Sequence, residues 1–203
     1  MNNFQLIKRL SVMMTAVILF SLSGMAQDAE IQKAMSRYKG VKSVNATVVR
    51  TKHRAALSED EVLAGSLAFN TPDKLVISFN NGDEKMYMDG STFAMTSGSQ
   101  ESVAKGATQT QFESLLSVFK NIFFGDTSAG DINSLAEVTT ESKGNLRIIY
   151  VTPITSADGK KKRQMFSSFV VTFDIKSGEF KSLRMNERGE NYTHYDFSDF
   201  KLK

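Results

Sequence analysis

The sequence holds few side chains that could make or break bonds. It has 2 histidines and no cysteine, which excludes thiolate nucleophiles, thiolate metal sites and disulfides. His194 and Asp196 are two residues apart in an alternating segment, so both point to the same face of a predicted strand. A carboxylate can orient a histidine base in this way, but alternate residues rise by roughly 6.5–7 Å, which is long for a direct hydrogen bond. We interpret the pair as an ordinary polar outer face, and His53 as a solvated histidine in a polar connection.

Longer catalytic motifs are also missing. The sequence has no Gly-x-Ser-x-Gly elbow, no glycine-rich phosphate loop and no His-Glu-x-x-His motif. We therefore predict no catalytic residue, no metal site, no cofactor and no enzymatic activity. An exported hydrolase is the weakest alternative, and it would lose turnover in His194→Ala.

One basic run interrupts the polar segment 152–164, and it consists of Lys160, Lys161, Lys162 and Arg163. It is typical of a solvated hairpin tip. The alternative is a docking patch for an acidic partner or an anionic membrane, where each basic residue contributes about 1 kcal/mol. No aromatic residues are interleaved with it, so we expect no nucleic-acid partner.

The first 26 residues predict a cleavable signal peptide. Lys8 and Arg9 precede the apolar run 10–22, and small residues follow before Ala26. The run is shorter than the ~20 apolar residues of a membrane span. Cleavage after Ala26 leaves residues 27–203, with 23 basic against 22 acidic side chains, as a single exported domain.

Most of the remaining chain alternates with the period of a β-strand, with short turn sequences between the segments. Asn81-Gly82 and Asp89-Gly90 are typical of tight hairpins, because both turn positions require positive φ. Helical spacing predicts helices over 27–38 and 110–121, with one further turn over 131–136. The predicted strands are 44–52, 61–70, 74–80, 84–89, 92–97, 101–104, 137–142, 145–151, 166–176, 179–186 and 192–202.

These elements predict a mainly β (α+β) fold. A sheet of about 10–11 antiparallel strands must curl or split, because twisted open sheets rarely exceed ~10 strands. Closure or near-closure into a barrel also removes exposed edges. The amphipathic helices are the natural cover for the inner face of the curled sheet.

Phenylalanine and methionine dominate the alternating apolar positions, with 15 Phe, 10 Met and no Trp in the chain. Such residues form a close-packed core in every sheet protein. They could instead line a cavity for lipid, because methionine adapts to variable shapes. Composition leaves both interpretations open. The candidate cavity residues are Leu67, Phe69, Leu75, Ile77, Phe79, Phe93, Met95, Phe169, Val171, Phe173, Leu183 and Met185.

The order of several short motifs along the chain resembles the periplasmic outer-membrane lipoprotein carrier family, LolA, from about Asp28 to Leu202. These motifs are Gly65-Ser66-Leu67-Ala68-Phe69-Asn70-Thr71-Pro72, Leu75-x-Ile77-x-Phe79, Asp89-Gly90-Ser91-Thr92-Phe93, Val151-Thr152-Pro153, the strand Phe169 to Asp174, and Tyr192-Thr193-His194-Tyr195-Asp196-Phe197.

The resemblance implies an unclosed antiparallel β-barrel with a lid of two or three short α-helices over an apolar cavity. It implies a periplasmic monomer that takes lipoprotein acyl chains from an inner-membrane releasing complex to an outer-membrane acceptor. Leu75, Ile77 and Phe79 would point into the cavity. The lid would carry Phe112, Leu115, Leu116 and Phe119.

The sequence departs from the family pattern at three positions. The arginine that precedes the proline in well-studied carriers is replaced by Thr71, and two tryptophan positions are Ala68 and Ala94. Two alternatives therefore remain: a carrier of a different lipid, and a lipid-sensing module of the same shape.

Overall fold

The computed structural model describes residues 33, 36–38, 40–70, 74–90, 92–124, 136–154 and 165–203, and within 117–124 only the backbone. The predicted signal peptide and the Lys160–Arg163 run lie outside these residues. In the part of the chain that is described, no helix is long and apolar enough to span a membrane.

An antiparallel sheet of 11 strands makes up most of the described structure, with one α-helix and two 3-10 turns. The elements are β1 (Ser43–His53), β2 (Glu61–Asn70), β3 (Lys74–Phe79), β4 (Glu84–Asp89), β5 (Thr92–Ser97), β6 (Gln100–Val103), α1 (Ala107–Phe124), β7 (Ala136–Lys143), β8 (Leu146–Pro153), β9 (Phe166–Asp174), β10 (Glu179–Glu187) and β11 (Tyr192–Leu202).

The sheet is built from two meanders that meet at its centre. Its strand order is β6-β5-β4-β3-β2-β1-β11-β10-β9-β8-β7, so the first and last strands of the chain pair with each other. Among the described residues the two free edges are β6 and β7, and α1 lies between these two strands in the chain. The barrel is therefore unclosed.

Contacts across the inner side show that the sheet is curled. The Tyr195 hydroxyl in β11 donates to Sδ of Met86 in β4 at 3.8 Å, although three strands lie between them in the sheet. Phe79 in β3 and Tyr195 have ring centroids 6.3 Å apart. In a flat sheet each neighbouring strand adds about 4.7–4.9 Å, so side chains on these strands would be too far apart to touch. The inner side is therefore a concave face.

The predicted hairpin between β3 and β4 is confirmed, and its residues explain it. Asn80, Asn81 and Gly82 have φ of 49°, 55° and 96°. Asparagine and glycine tolerate this left-handed region better than other residues.

The structure confirms the predicted sheet and the predicted helix after β6. All eleven predicted strands are present, with ends shifted by at most two residues. The described residues hold α1, which begins at Ala107 instead of residue 110. Of the predicted helix 27–38, Lys33 is helical and Ser36–Tyr38 form a 3-10 turn, while residues 27–32, 34 and 35 lie outside the described part. In the predicted turn 131–136, Ala136 begins β7, and the other residues lie outside the described part.

Candidate functional site

The concave face is an apolar wall that extends across both meanders. Nine of the predicted cavity residues are less than a tenth exposed, and Phe69 and Leu75 are half-buried. The nine are Leu67, Ile77, Phe79, Phe93, Phe169, Val171, Phe173, Leu183 and Met185.

Strand register places these side chains beside one another. Leu67 of β2 is opposite Ile77 of β3, which is in turn opposite Met86 of β4. On the other meander, Leu183 of β10 is opposite Val171 of β9. Directly opposed residues have side chains on the same face, so each meander contributes a continuous apolar surface.

Met95 is the member of the predicted set that is least covered. It lies opposite Met86 in β4 and Ser102 in β6, yet 41% of its surface is exposed. Only the short strand β6 continues the sheet beyond it, so this part of the wall lies next to a free edge.

The helix α1 covers the wall through Phe112. Its ring stacks on Phe93 of β5 with centroids 3.4 Å apart, and it meets Phe166 and Phe169 of β9 at 5.2 and 6.0 Å. Leu115 of the same helix is buried. One aromatic side chain of the helix therefore touches both meanders.

Two further predicted lid residues belong to the same helix. Leu116 is half-buried. Phe119 belongs to the part of α1 whose side chains lie outside the described residues.

A polar contact also attaches α1 to the sheet. The Gln111 side chain, 1% exposed, donates from Nε2 to the Phe166 carbonyl and accepts from the Phe166 amide at 3.2 Å. The glutamine thus pairs with the first residue of β9 as a neighbouring strand would. The sequence does not predict this contact, because a glutamine in the polar first turns of a helix does not indicate which distant residue it will bond.

A buried cation lies on the concave face beside the apolar wall. Arg50 is 6% exposed; its Nη1 donates to Glu84 at 2.8 Å and its Nη2 to Glu61 at 2.5 Å. Burial works against the charged guanidinium, but the hydrogen bonds to Glu84 and Glu61 outweigh it and raise the pKa of Arg50. The side chain is therefore a permanent cation.

Arg50 reaches β4 by crossing two strands, and Gly65 makes this possible. The guanidinium carbon lies 4.6 Å above the centre of the Phe79 ring. A Cβ at Gly65 would collide with the Ser78 carbonyl and come within 2.5 Å of the Phe79 ring. Only glycine leaves room for the ring to lie under the guanidinium.

Tyr195 is the cross-strand partner of Arg50 and is 1% exposed. Burial raises the pKa of its hydroxyl to about 12, against a weaker opposing effect of Arg50. The group is therefore a neutral hydrogen-bond donor at any physiological pH.

The histidines lie away from this wall. His194 and Asp196 are partly exposed, but their side chains are in contact, with Nε2 and Oδ1 3.1 Å apart. The prediction that they are too far apart was wrong, because the two side chains lean toward each other along the strand. His53 ends β1 rather than lying in a connection; it contacts Asp60 at 2.7 Å and stacks on Tyr192. Among the described residues, no three His, Asp or Glu side chains gather as metal ligands would.

An open depression of about 380 Å³ borders the apolar wall at Phe79. It is lined by Ala64, Ser66, Ser78 and the 80–82 turn, together with Gly65 and Phe79. Its lining is mostly polar, so it does not extend the apolar surface.

The alternating pattern of the sequence indicates that Arg50 and Tyr195 lie on the inner face of their strands. Val44, Ala46 and Val48 alternate on the buried face of β1, and Arg50 is the next residue in that series. In β11, His194 and Asp196 were assigned to the outer face, which leaves Tyr195 on the inner one. A charged residue in phase with an apolar face indicates a buried ion pair.

Comparison with known proteins finds similar solved structures only. No protein-family model and no curated protein matches the sequence. A DUF1329 family protein from Desulfovibrio piger is 14% identical, with a TM-score of 0.43 over 86% of this chain and 92% of that one. A putative outer-membrane lipoprotein-sorting protein domain from Vibrio parahaemolyticus is 12% identical, with a TM-score of 0.44 over 87% and 92%. A LolA superfamily protein from Nitrosomonas europaea is 8% identical, with a TM-score of 0.40 over 86% and 92%.

Proposed function

We propose that this protein is a carrier that binds the acyl chains of lipids or lipoproteins on its concave face and catalyses no reaction. One observation carries the proposal. The apolar wall of an unclosed sheet is covered by a helix whose Phe112 bridges the two meanders. A cover of this kind can move aside without breaking any pairing between strands.

The free energy of burying the wall-facing side chains of α1 is comparable with that of burying part of an acyl chain. Burial of Phe112 and Leu115 contributes roughly 3–6 kcal/mol in total, at about 1.5–3 kcal/mol for each side chain. An acyl chain gains about 0.8 kcal/mol per buried methylene, so four to eight methylenes, roughly, match that contribution. A longer chain can displace α1, and α1 in turn keeps binding reversible by competing for the wall.

The cellular role follows from the resemblance in sequence. In this proposal residues 27–203 form one exported domain in the periplasm, and the monomer carries lipoproteins from an inner-membrane releasing complex to an outer-membrane acceptor. The basic run Lys160–Arg163 would be the docking patch for an acidic or anionic surface.

The most direct test is native mass spectrometry of the protein purified from its own cells. A carrier should retain a lipid or lipopeptide, seen as an added mass that apolar solvent removes. Protein that is ligand-free from cells and does not bind added amphiphiles would refute the proposal.

Substitutions on the wall test its location. Ile77→Glu should abolish capture of a fluorescent fatty acid, because it places a charge on the 1% exposed position at the centre of the wall. Leu75→Glu, at a half-buried position, is a milder variant in case the first is too unstable. Val62→Glu is the control, since Val62 is 58% exposed. Equal binding by Leu75→Glu and wild type would contradict the assignment.

Deletion of the gene separates a carrier from a sensor. Loss of a lipoprotein carrier should leave lipoproteins at the inner membrane, whereas loss of a sensor should leave them correctly placed. Fractionation of the two membranes distinguishes these results.

A further inference from the structure

Two buried hydrogen-bond donors on the concave face lack a good acceptor among the described residues. Arg50 and Tyr195 are cross-strand partners in β1 and β11, and both are more than nine-tenths buried. Among the described residues, Nε of Arg50 has no acceptor. In the same part of the chain, the Tyr195 hydroxyl has only Sδ of Met86 at 3.8 Å, and a thioether is a weak acceptor.

Such groups are uncommon in folded proteins, because a buried donor without a good acceptor costs free energy. Here two of them are neighbours in register, on the face where hydrocarbon is proposed to bind. Replacing Tyr195 with phenylalanine would remove one cost without changing the shape of the wall. The presence of both donors is explained if an acceptor oxygen occupies this position when a ligand is bound.

We propose that Arg50 Nε and the Tyr195 hydroxyl bind the carbonyl oxygen of an acyl group whose hydrocarbon chain lies along the apolar wall. This inference rests on the proposed acyl-chain binding and names the polar end of that site. The chain would continue from Tyr195 over Phe79 and Met86, both of which contact Tyr195.

The surrounding charge selects the type of acyl group. Arg50 already binds two carboxylates, Glu61 and Glu84, so its positive charge is more than balanced. An ionised fatty acid would bring a third negative charge to this cluster, whereas an ester or amide carbonyl brings none. The site therefore favours esterified or amidated acyl chains over free fatty acids.

The position of the cluster is compatible with entry of a head group. Glu61 has 51% and Glu84 29% of its side chain exposed, so the partners of Arg50 reach the surface. The remainder of a lipid could extend past them into solvent while its carbonyl contacts the two donors.

Three ligands with the same chain length test the inference by displacement of the hydrocarbon dye diphenylhexatriene from the purified protein. They are methyl decanoate, sodium decanoate, and decyl methyl ether, which lacks the carbonyl. We expect the ester to displace the dye at about tenfold lower concentration than the ether, the effect of one or two net hydrogen bonds. The carboxylate should be weaker than the ester.

Tyr195→Phe should remove the advantage of the ester and leave the ether unchanged. Arg50→Lys should do the same, because lysine keeps a cation for the two glutamates but has no Nε donor at that position. Tyr150→Phe is the control, since the Tyr150 hydroxyl bonds to Glu141 on the exposed surface. If Arg50→Lys does not fold, Tyr195→Phe still decides the question.

The outcomes separate this inference from the proposed function. Equal displacement by ester and ether in the wild type, or equal loss of both in Tyr195→Phe, would overturn the carbonyl site and leave acyl-chain binding intact. Decanoate as effective as the ester would overturn the preference for uncharged head groups. Dye binding with no displacement by any ligand, or no dye binding at all, would overturn the proposed function itself.

Discussion

Phe93 and Phe112 stack with their ring centroids 3.4 Å apart and their planes 12° from parallel. Phe93 belongs to β5, while the other neighbours of Phe112, Phe166 and Phe169, belong to β9. Six strands separate β5 from β9 in the sheet. A single helical side chain therefore joins two regions that strand pairing leaves far apart, and the experiments below test the contacts that depend on this arrangement.

Phe112→Ala should lower the free energy of unfolding by about 3–5 kcal/mol, the usual range for removing a buried aromatic ring. It should also speed the uptake of a hydrocarbon dye, because α1 loses its contact with both meanders. Urea unfolding and stopped-flow fluorescence measure the two effects. Leu116→Ala, at a half-buried position on the same helix, should have a smaller effect on both. A loss below about 1 kcal/mol in Phe112→Ala would show that the ring is not a core contact.

Gln111→Ala should expose the start of β9. The Phe166 amide and carbonyl both lose their partner in a buried position, so hydrogen exchange at the Phe166 amide should accelerate. Stability should fall by about 1–3 kcal/mol. Gln109→Ala removes only a contact with Glu113 in the same helix and serves as the control. Unchanged exchange at Phe166 would contradict the proposed attachment.

Gly65→Ala should destabilise the sheet more than an ordinary surface substitution. The added Cβ would collide with the Ser78 carbonyl and the Phe79 ring, and the displaced ring could no longer lie under Arg50. We expect a loss of about 1–3 kcal/mol, as is usual for overpacking. Ser66→Ala, next to it but exposed, should be nearly neutral. Thermal unfolding of the two variants gives the comparison.

The pH dependence of stability should report the burial of Tyr195. Its pKa is raised from 10.0 to about 12 on folding, so the folded state holds the proton more tightly. The stabilisation is complete below pH 10.0 and is lost as the pH rises toward about 12, at about 1.4 kcal/mol per pH unit. Urea unfolding between pH 9 and 11.5, roughly, should show wild type losing stability relative to Tyr195→Phe. If the free energies of unfolding of wild type and Tyr195→Phe change in parallel with pH, the hydroxyl is accessible to water.

Much of the sheet could be predicted because its signals are local. The turn residues at Asn81-Gly82 and Asp89-Gly90 fixed the hairpins, and alternation fixed which side chains face inward. Ile77 and Phe173 illustrate this, since both occupy alternating apolar positions in the sequence and both are at most 1% exposed. Their role in binding lipid remains a prediction.

Contacts between distant segments could not be read from the sequence. Gln111 bonds to Phe166, 55 residues away in the sequence, and Arg50 bonds to Glu84, 34 residues away. No local sequence pattern indicates either pair. The distance between His194 and Asp196 was misjudged because strand rise describes the backbone, whereas the two side chains lean together. The helix α1 also extends three residues beyond each end of the predicted segment 110–121, through Ala107–Gln109 and Ile122–Phe124.

The free edges of the described sheet have a consequence for the proposed movement of α1. All four residues of β6 are exposed, and three of them are polar, while β7 has Glu137, Glu141 and Lys143 along its exposed length. Unpaired strands invite other chains to add to them unless polar and charged side chains oppose it. In the proposed carrier, movement of α1 would therefore uncover strand edges whose polar side chains disfavour pairing with a second molecule.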